Sequence, residues 1–280
     1  MCGRFACTLS RADIECAGNA KVWRADDGRE IDETDAAEHD CYQPRTRVSP
    51  TNLVPVIIRG SIEGSGRARS SNVVQYCRWG LIPSFAQDVR SAAGNGALLI
   101  NARSESVEEK PSFRGAVRRR QFCVVPCSAF FEWKGEPGVL GKRKAELKTP
   151  YRIRSEGAAV MRLAGIYDVW TDPATKKRLW SVAILTRAAT KQMAWLHDRM
   201  PCILDEQQAT EWLMGTLSVH ALASTSQGKL VFEKMLKDLS AVDLSKDEHA
   251  QQRNFMMNFL SPSKKQRKIE PKVEHEKCEG

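Results

Sequence analysis

The sequence predicts an α+β fold built on mixed or antiparallel strands, with a few flanking helices. Short apolar or alternating runs rich in branched side chains outnumber helical patterns along the 280 residues. Strands do not alternate regularly with helices, which argues against a doubly wound parallel sheet. A chain of this length can bury a substantial core, and one domain plus a tail fits its size better than two full domains.

The individual elements follow from the same patterns, taken in chain order. The segments that read as strands are 54–58, 72–77, 121–125, 159–169 and 179–186. Helical periodicity predicts helices over 188–197 and 206–214, and Asp205 is a residue type that caps the second. Stretches rich in charge and glycine predict surface loops at 24–40, 60–71 and 134–149.

The charge balance favours polyanionic partners. Lys and Arg number 43 against 34 Asp and Glu, which gives a net charge of +9 and a pI near 9.1. Nucleic acid is the leading partner on this ground, although an excess of this size also serves solubility alone. No apolar run is long enough to span a bilayer, and the chain start lacks the features of a secretory signal. We therefore expect a soluble intracellular protein with no membrane partner.

Nine cysteines raise the question of disulfides or metal. The chain is too large for a disulfide-stapled secreted scaffold, so we expect reduced thiols. Cys123 and Cys127 come closest to metal-ligand spacing, but each lies in an apolar stretch without a matching Cys/His pair elsewhere. We expect buried core cysteines there, and no metal or cofactor.

Cys2 is the residue with the most distinctive chemistry. If Met1 is removed, Cys2 carries a thiol and a free α-amine on adjacent carbons, and no internal residue offers that pair. Such an aminothiol attacks an aldehyde through nitrogen to give a Schiff base and then closes through sulfur to a thiazolidine. The alternative is a second residue of no consequence, so position alone leaves both interpretations open.

Four polar clusters interrupt the apolar strands. They are 78–85, 101–105, 130–133 and 196–201. Glu132 sits among aromatic residues, a setting that raises a carboxyl pKa and suits proton transfer. The first cluster interleaves a cation with aromatics, as single-strand stacking surfaces do. Simpler interpretations remain open for each: Glu132 as an exposed strand residue, His197 as a helix cap, Trp79 as ordinary core.

Taken in order, these clusters resemble the SOS response-associated peptidase (SRAP) family, including its abasic-site processing members. The resemblance spans Cys2 to Trp212. Its segments are 1–4, 48–51, 54–57, 78–84, 101–105, 110–113, 131–133, 164–168 and 197–201. It implies a barrel-like core and a sensor of abasic sites in single-stranded DNA, which bonds through its N-terminal cysteine to the ring-opened deoxyribose. Autocatalytic removal of Met1 is also implied.

The resemblance carries roles to particular residues. It implies Cys2 as nucleophile, Asn101 orienting the N-terminus or sugar, Glu132 moving protons, and His197 assisting ring opening or phosphate positioning. The residues implied to hold phosphates are Arg4, Arg78, Arg103 and Arg199. Those implied to pack against the flanking bases are Trp79, Pro83 and Phe85. The chain departs from the family pattern at 127–130 and again at 229–247, where it reads as a divergent replacement.

We assign the catalytic domain to 2–250 and a basic, disorder-prone tail to 251–280. Residues 264–268 match a short nuclear-import pattern, so we expect a nuclear monomer whose tail has replication-associated proteins as candidate partners. A solvated tail of no further role is the alternative. Two other functions also stay open: a protease acting on other proteins, and a noncovalent reader of modified DNA.

Overall fold

Strands dominate the computed structural model, which describes residues 2–31, 42–62, 69–89, 98–140, 143–225 and 228–235. The strands are β1 (Arg4–Cys7), β2 (Val22–Arg24), β3 (Glu30–Ile31), β4 (Arg45–Val48), β5 (Leu53–Ile62), β6 (Arg69–Trp79), β7 (Asn101–Arg103), β8 (Phe122–Cys127), β9 (Ala129–Leu140), β10 (Arg143–Ser155), β11 (Met161–Thr171), β12 (Arg178–Ala188), β13 (Arg199–Pro201), β14 (Ile203–Leu204) and β15 (Leu230–Lys234). The helices are α1 (Arg11–Gly18), α2 (Pro111–Arg118), α3 (Glu206–Met214) and a 3₁₀ helix (His220–Ser224).

Five strands close into a barrel. The order is β12, β11, β8, β5 and β6, each antiparallel to the next. Parallel pairing of Ser181 with Arg78 and of Val182 with Trp79 joins β6 back to β12 and completes the ring. The predicted α+β class and barrel-like core are confirmed. Closure also removes the exposed sheet edge that these apolar strands would otherwise present.

Side chains alternate between two apolar clusters along the barrel strands, as the two-residue period of a strand requires. In β12, Val182 and Ile184 join the larger cluster, whereas Ala183 and Leu185 face a second one. The helices α2 and α3 cover this second cluster, and Trp212 of α3 stacks on Phe122 of β8 at a ring distance of 4.0 Å.

A second sheet of five strands carries the start of the chain. Its order is β15, β10, β9, β1 and β4, all antiparallel. Phe5 of β1 and Phe130 of β9 belong to the larger apolar cluster, together with barrel residues such as Val56. The apolar core therefore holds β1, and with it Cys2, against the barrel.

Most of the predicted strands are confirmed, but some local predictions are wrong. Residues 191–196 form turns and not a helix, because β12 extends to Ala188 and the Ala189 N–H donates to the Asp198 carbonyl at 2.8 Å, closing a tight connection to β13. The described parts of two predicted loops are paired strands, since a backbone ladder does not depend on apolar side chains. Residues 60–62 pair with 69–71 between β5 and β6, and residues 134–140 pair with 143–149 between β9 and β10.

Helix α3 matches its prediction. Asp205 caps it, its side chain accepting from the Gln208 N–H at 2.8 Å while the Gln208 side chain accepts from the Asp205 N–H at 3.1 Å. Within the divergent stretch 229–247, residues 230–234 form β15. The tail 251–280 and its basic cluster 264–268 lie outside the described residues. Among the helices described, none is long and apolar enough to cross a membrane.

Candidate active site

Cys2 lies at the entrance to β1, beside the strand that carries Glu132. Arg4 pairs with Phe131 and Phe5 with Phe130, so continuing this antiparallel register places Gly3 beside Glu132. The Cys2 side chain is fully buried, and its thiol donates to the Arg4 carbonyl at 3.6 Å. Two of the predicted catalytic residues therefore meet on neighbouring strands.

Asn101 reaches the same point from the barrel. It begins β7, which pairs in parallel with β12 through Asn101 and Ile184. Its Nδ2 donates to the Cys2 carbonyl at 2.8 Å. Its Oδ1 is buried and has no hydrogen-bond partner in the structure. A buried unpaired acceptor costs about 1–3 kcal/mol, so this amide is poised for a donor that a ligand or the N-terminal amine can supply.

Trp79 packs beside this contact and is closed to solvent. Its side chain is fully buried, contrary to the expectation that it packs against a base. The ring lies 5.0 Å from that of Phe5, and its Nε1 donates to the Ile100 carbonyl at 3.0 Å. Trp79 therefore packs against the strand after Cys2 and bonds the residue before Asn101. Pro83 is also buried.

Glu132 occupies the environment that its sequence neighbours predicted. It is only 4% exposed, and desolvation raises the pKa of its carboxyl, partly offset by electrostatic interaction with the amino terminus and with His197. A carboxyl with a raised pKa holds its proton more readily, which suits it to proton transfer. His197 therefore lies within electrostatic range of the Glu132 carboxyl.

The Cys2 thiol is neutral in this environment. Burial raises its pKa well above the ordinary value, and the Glu132 carboxylate raises it further. A thiolate is the stronger nucleophile, so sulfur attack from this site needs a base to take its proton. Glu132 is the carboxylate next to it.

The Nδ1 of His197 has two competing neighbours. Its Nδ1 lies 2.9 Å from the Arg199 backbone N and 2.7 Å from Asp198 Oδ1. An unprotonated Nδ1 accepts from the Arg199 N–H, whereas a protonated one donates to the carboxylate, so the two contacts exclude each other. The Asp198 side chain is 85% exposed, which makes the backbone contact the better-fixed one.

Two of the four arginines expected to hold phosphates are engaged within the fold. Arg199 forms a bidentate ion pair with Glu105, at 2.7 and 2.9 Å, and donates to the Thr186 carbonyl at 2.7 Å. Arg78 is buried, and its Nη1 lies 3.3 Å from the Gly80 carbonyl. Both side chains bind groups within the protein, and a phosphate would have to compete with these partners.

The other two arginines are better placed to bind an anion. Arg103 is exposed at the end of β7, two residues from Asn101. Arg4 is half-buried, and burial together with the charge of nearby Arg47 lowers its pKa. Two guanidinium groups this close repel each other, and a phosphate between them would relieve that repulsion. Arg47 was not among the residues singled out from the sequence, because its proximity to Arg4 depends on the pairing of β1 with β4.

Phe85 is the predicted base-packing residue that remains accessible, 67% exposed. It lines a groove of about 260 Å³ with Pro111, Arg114, Gly115 and Arg118 of α2. Asp168 tethers this segment, since its carboxylate accepts from the Ser84 N–H and from Arg119, both at 2.9 Å. The sequence contained Asp168 within a family segment but gave no sign of this tethering role.

Cysteines other than Cys2 serve packing in most cases. Cys123 and Cys127 are unpaired and fully buried, so the prediction of core cysteines is confirmed. In the part of the chain that the structure describes, no three Cys, His, Asp or Glu side chains group as metal ligands. Cys16 is exposed and lies on α1.

Comparisons with known proteins agree with the motifs. The chain is 30% identical over 231 residues to the abasic site processing protein HMCES of Xenopus tropicalis, covering 76% of this chain and 66% of that protein. It is 33% identical over 172 residues to the abasic site processing protein YoqW of Bacillus subtilis, covering 61% of this chain and 67% of that protein. The chain thus spans about two thirds of the length of these relatives.

Solved structures share the fold. A crystal structure of a protein from Bacteroides thetaiotaomicron superposes with a TM-score of 0.63 at 25% identity, covering 85% of this chain and 93% of that one. A protein from Bordetella bronchiseptica gives 0.59 at 20% identity, covering 84% and 99%. Residues 1–246 match the family described as SOS response associated peptidase (SRAP). The chain therefore belongs to the SOS response associated peptidase family.

Proposed function

We propose that this chain processes abasic sites in single-stranded DNA by bonding covalently to them through Cys2 after loss of Met1. The observation that carries the proposal is the convergence of Asn101 and Glu132 on Cys2, with Asn101 Nδ2 2.8 Å from the Cys2 carbonyl and His197 within electrostatic range of Glu132. The similarity to abasic site processing proteins supports the substrate class.

The first covalent step joins the Cys2 amine to the sugar. The free amine attacks C1′ of the ring-opened deoxyribose, and the aldehyde oxygen becomes a hydroxyl. Glu132 in its protonated form donates a proton to that hydroxyl, which leaves as water while the C=N bond forms. The burial that raises the pKa of Glu132 favours its protonated form and therefore this donation.

The second step closes the ring and returns the carboxyl to its starting state. The carboxylate left by the first step accepts the Cys2 thiol proton as sulfur attacks the imine carbon. A C–S bond forms, and the C=N electron pair moves to the nitrogen, which neutralises the positive charge of the protonated imine and leaves a ring N–H. Overall an aldehyde and an aminothiol give a thiazolidine and one water, so no oxidant or reductant is required. The neutral buried thiol makes the neighbouring base necessary for this step.

Removal of Met1 uses the same nucleophile. The Cys2 thiol attacks the Met1 carbonyl carbon, the acyl group moves from nitrogen to sulfur, and water then hydrolyses the thioester to release methionine. Asn101 holds the Cys2 carbonyl during this transfer. We expect mass spectrometry of the purified protein to show a chain lacking Met1, and a Cys2→Ser variant to retain it if processing is autocatalytic.

Denaturing electrophoresis of the protein mixed with abasic single-stranded DNA tests the proposal. We expect an adduct that survives heat and denaturant with the native chain and with Cys16→Ser, which removes an exposed thiol elsewhere. A noncleavable extension before Cys2 should abolish it, because an acylated nitrogen permits only a reversible hemithioacetal. A stable adduct from the extended chain would refute the aminothiol mechanism.

The same experiment distinguishes the alternatives. Turnover of added peptide substrates without DNA adduct would indicate a protease, and salt-sensitive binding without adduct would indicate a noncovalent reader. A Cys2→Ser chain from which an aminopeptidase has removed Met1 keeps the free α-amine but lacks the thiol. It can form the Schiff base but cannot close the thiazolidine, so its adduct should survive denaturation only after reduction with borohydride.

A further inference from the structure

A second group of aromatic and basic side chains lies on the same sheet face as Glu132. Glu132 and Lys134 are two residues apart in β9, so they project from one face. Tyr151 of β10 pairs directly with Glu132, and Lys234 of β15 pairs with Tyr151. This face therefore continues outward from the catalytic carboxyl across three strands.

Trp195 lies on this face. Its ring contacts that of Tyr151 at 5.1 Å and that of Phe232 at 5.4 Å, in both cases edge to face. Lys134 Nζ lies 5.2 Å from the centre of the Trp195 ring. Trp195 nevertheless remains 44% exposed, which is unusual for an indole with three such neighbours.

We propose that Trp195 is a stacking site for a base of the single-stranded DNA beside the abasic nucleotide, with Lys134 and Lys234 binding its backbone phosphates. This inference rests on the proposed function. Aromatic faces bind bases of any sequence, and adjacent lysines neutralise the strand, which is the composition of single-strand binding surfaces. The position is appropriate because one pairing rung and one ring contact separate Trp195 from Glu132.

The neighbours of Trp195 hold it in place for this role. Edge-to-face contacts with Tyr151 and Phe232 fix the indole orientation before DNA arrives, which reduces the entropy lost on binding. Phe232 belongs to β15 within the divergent stretch 229–247. That stretch therefore contributes to the DNA subsite as well as to the sheet.

Affinity for an undamaged single-stranded oligonucleotide tests the stacking site without involving the adduct. Loss of one stacked base costs about 1–3 kcal/mol, so Trp195→Ala should weaken binding roughly tenfold. Trp195→Phe keeps an aromatic face and should bind nearly as well as the native chain. Trp195→Leu keeps apolar bulk without that face and should resemble alanine. Equal affinity of the leucine and phenylalanine variants would overturn the proposal in favour of a packing role.

Charge and location need their own controls. Lys134→Ala should reduce the magnitude of the slope of log affinity against log salt by about 0.7, whereas Lys177→Ala, in the β11–β12 turn, should leave it unchanged. Met214→Ala removes an equally exposed apolar side chain from α3 and should not alter affinity.

Two outcomes separate the stacking site from the proposed function. Native affinity in Trp195→Ala would overturn the stacking site alone. Binding with no adduct from the native chain would overturn the proposed function and leave the stacking site standing.

Discussion

Replacing Arg199 with alanine should destabilise the fold before it affects DNA binding. The guanidinium forms two hydrogen bonds to Glu105 and a third to the carbonyl of Thr186, a fully buried residue of β12. Alanine leaves the carboxylate without its partner and the carbonyl without this donor. Arg103→Ala is a suitable control, because that side chain is exposed at the end of β7, two residues before Glu105.

The magnitude follows from the pKa of Glu105, which falls to about 2 from its ordinary 4.5, mainly through hydrogen bonds from Arg199. Before any allowance for solvent screening, this lowering of the Glu105 pKa corresponds to roughly 3 kcal/mol of stability. The Glu105 side chain is 44% exposed, so screening leaves about 1 kcal/mol for the pair. The lost bond to Thr186 adds about 1 kcal/mol. We expect Arg199→Ala to lower the free energy of unfolding by about 2 kcal/mol.

Urea unfolding measured from pH 7 down to pH 3 provides the assay. The folded-state pKa of Glu105 lies below its unfolded value, so the ion-pair contribution is complete well above pH 4.5 and is lost as the pH falls toward about 2. The difference between native and Arg199→Ala chains should therefore shrink below about pH 4.5. If Arg199→Ala is as stable as the native chain and only its DNA affinity drops, the guanidinium acts in DNA binding and not in stabilising the fold. Arg103→Ala should remain within about 0.5 kcal/mol of native.

Three further predictions concern the site and the tail. Glu132→Gln should slow adduct formation or reversal in timed electrophoresis while DNA affinity stays near native, and native rates across pH 6 to 8 would exclude it as the acid/base group. Trp79→Ala should lower the free energy of unfolding by about 3–5 kcal/mol, because it removes a large buried side chain. Native stability combined with weaker DNA binding would instead support the expected contact of Trp79 with a base. Ending the chain after Leu260 should keep crosslinking but reduce nuclear accumulation by microscopy; normal localisation would contradict this.

Much of the fold was predictable because it depends on local pattern. Alternating apolar residues located β5, β6, β8, β11 and β12, and the Asp205 cap located the start of α3. The errors arose where pairing at a distance prevailed over local composition. Residues 191–196 carry a helical pattern but connect two paired strands. Residues 60–62 and 69–71, like 134–140 and 143–149, have the composition of loops but form strand ladders.

For the site, the order of residues along the chain by itself supplied the chemistry that we propose: the aminothiol that Cys2 would carry after loss of Met1, and a carboxyl among aromatic residues at Glu132. Only the tertiary structure decided which side chains have solvent access and which have internal partners. Arg199 meets Glu105 from 94 positions away, and Trp79 is enclosed by the start of the chain. Both were assigned to DNA through the family resemblance, and nothing in the local sequence opposed this, because burial and long-range pairing depend on which strands meet and leave no signal in neighbouring residues.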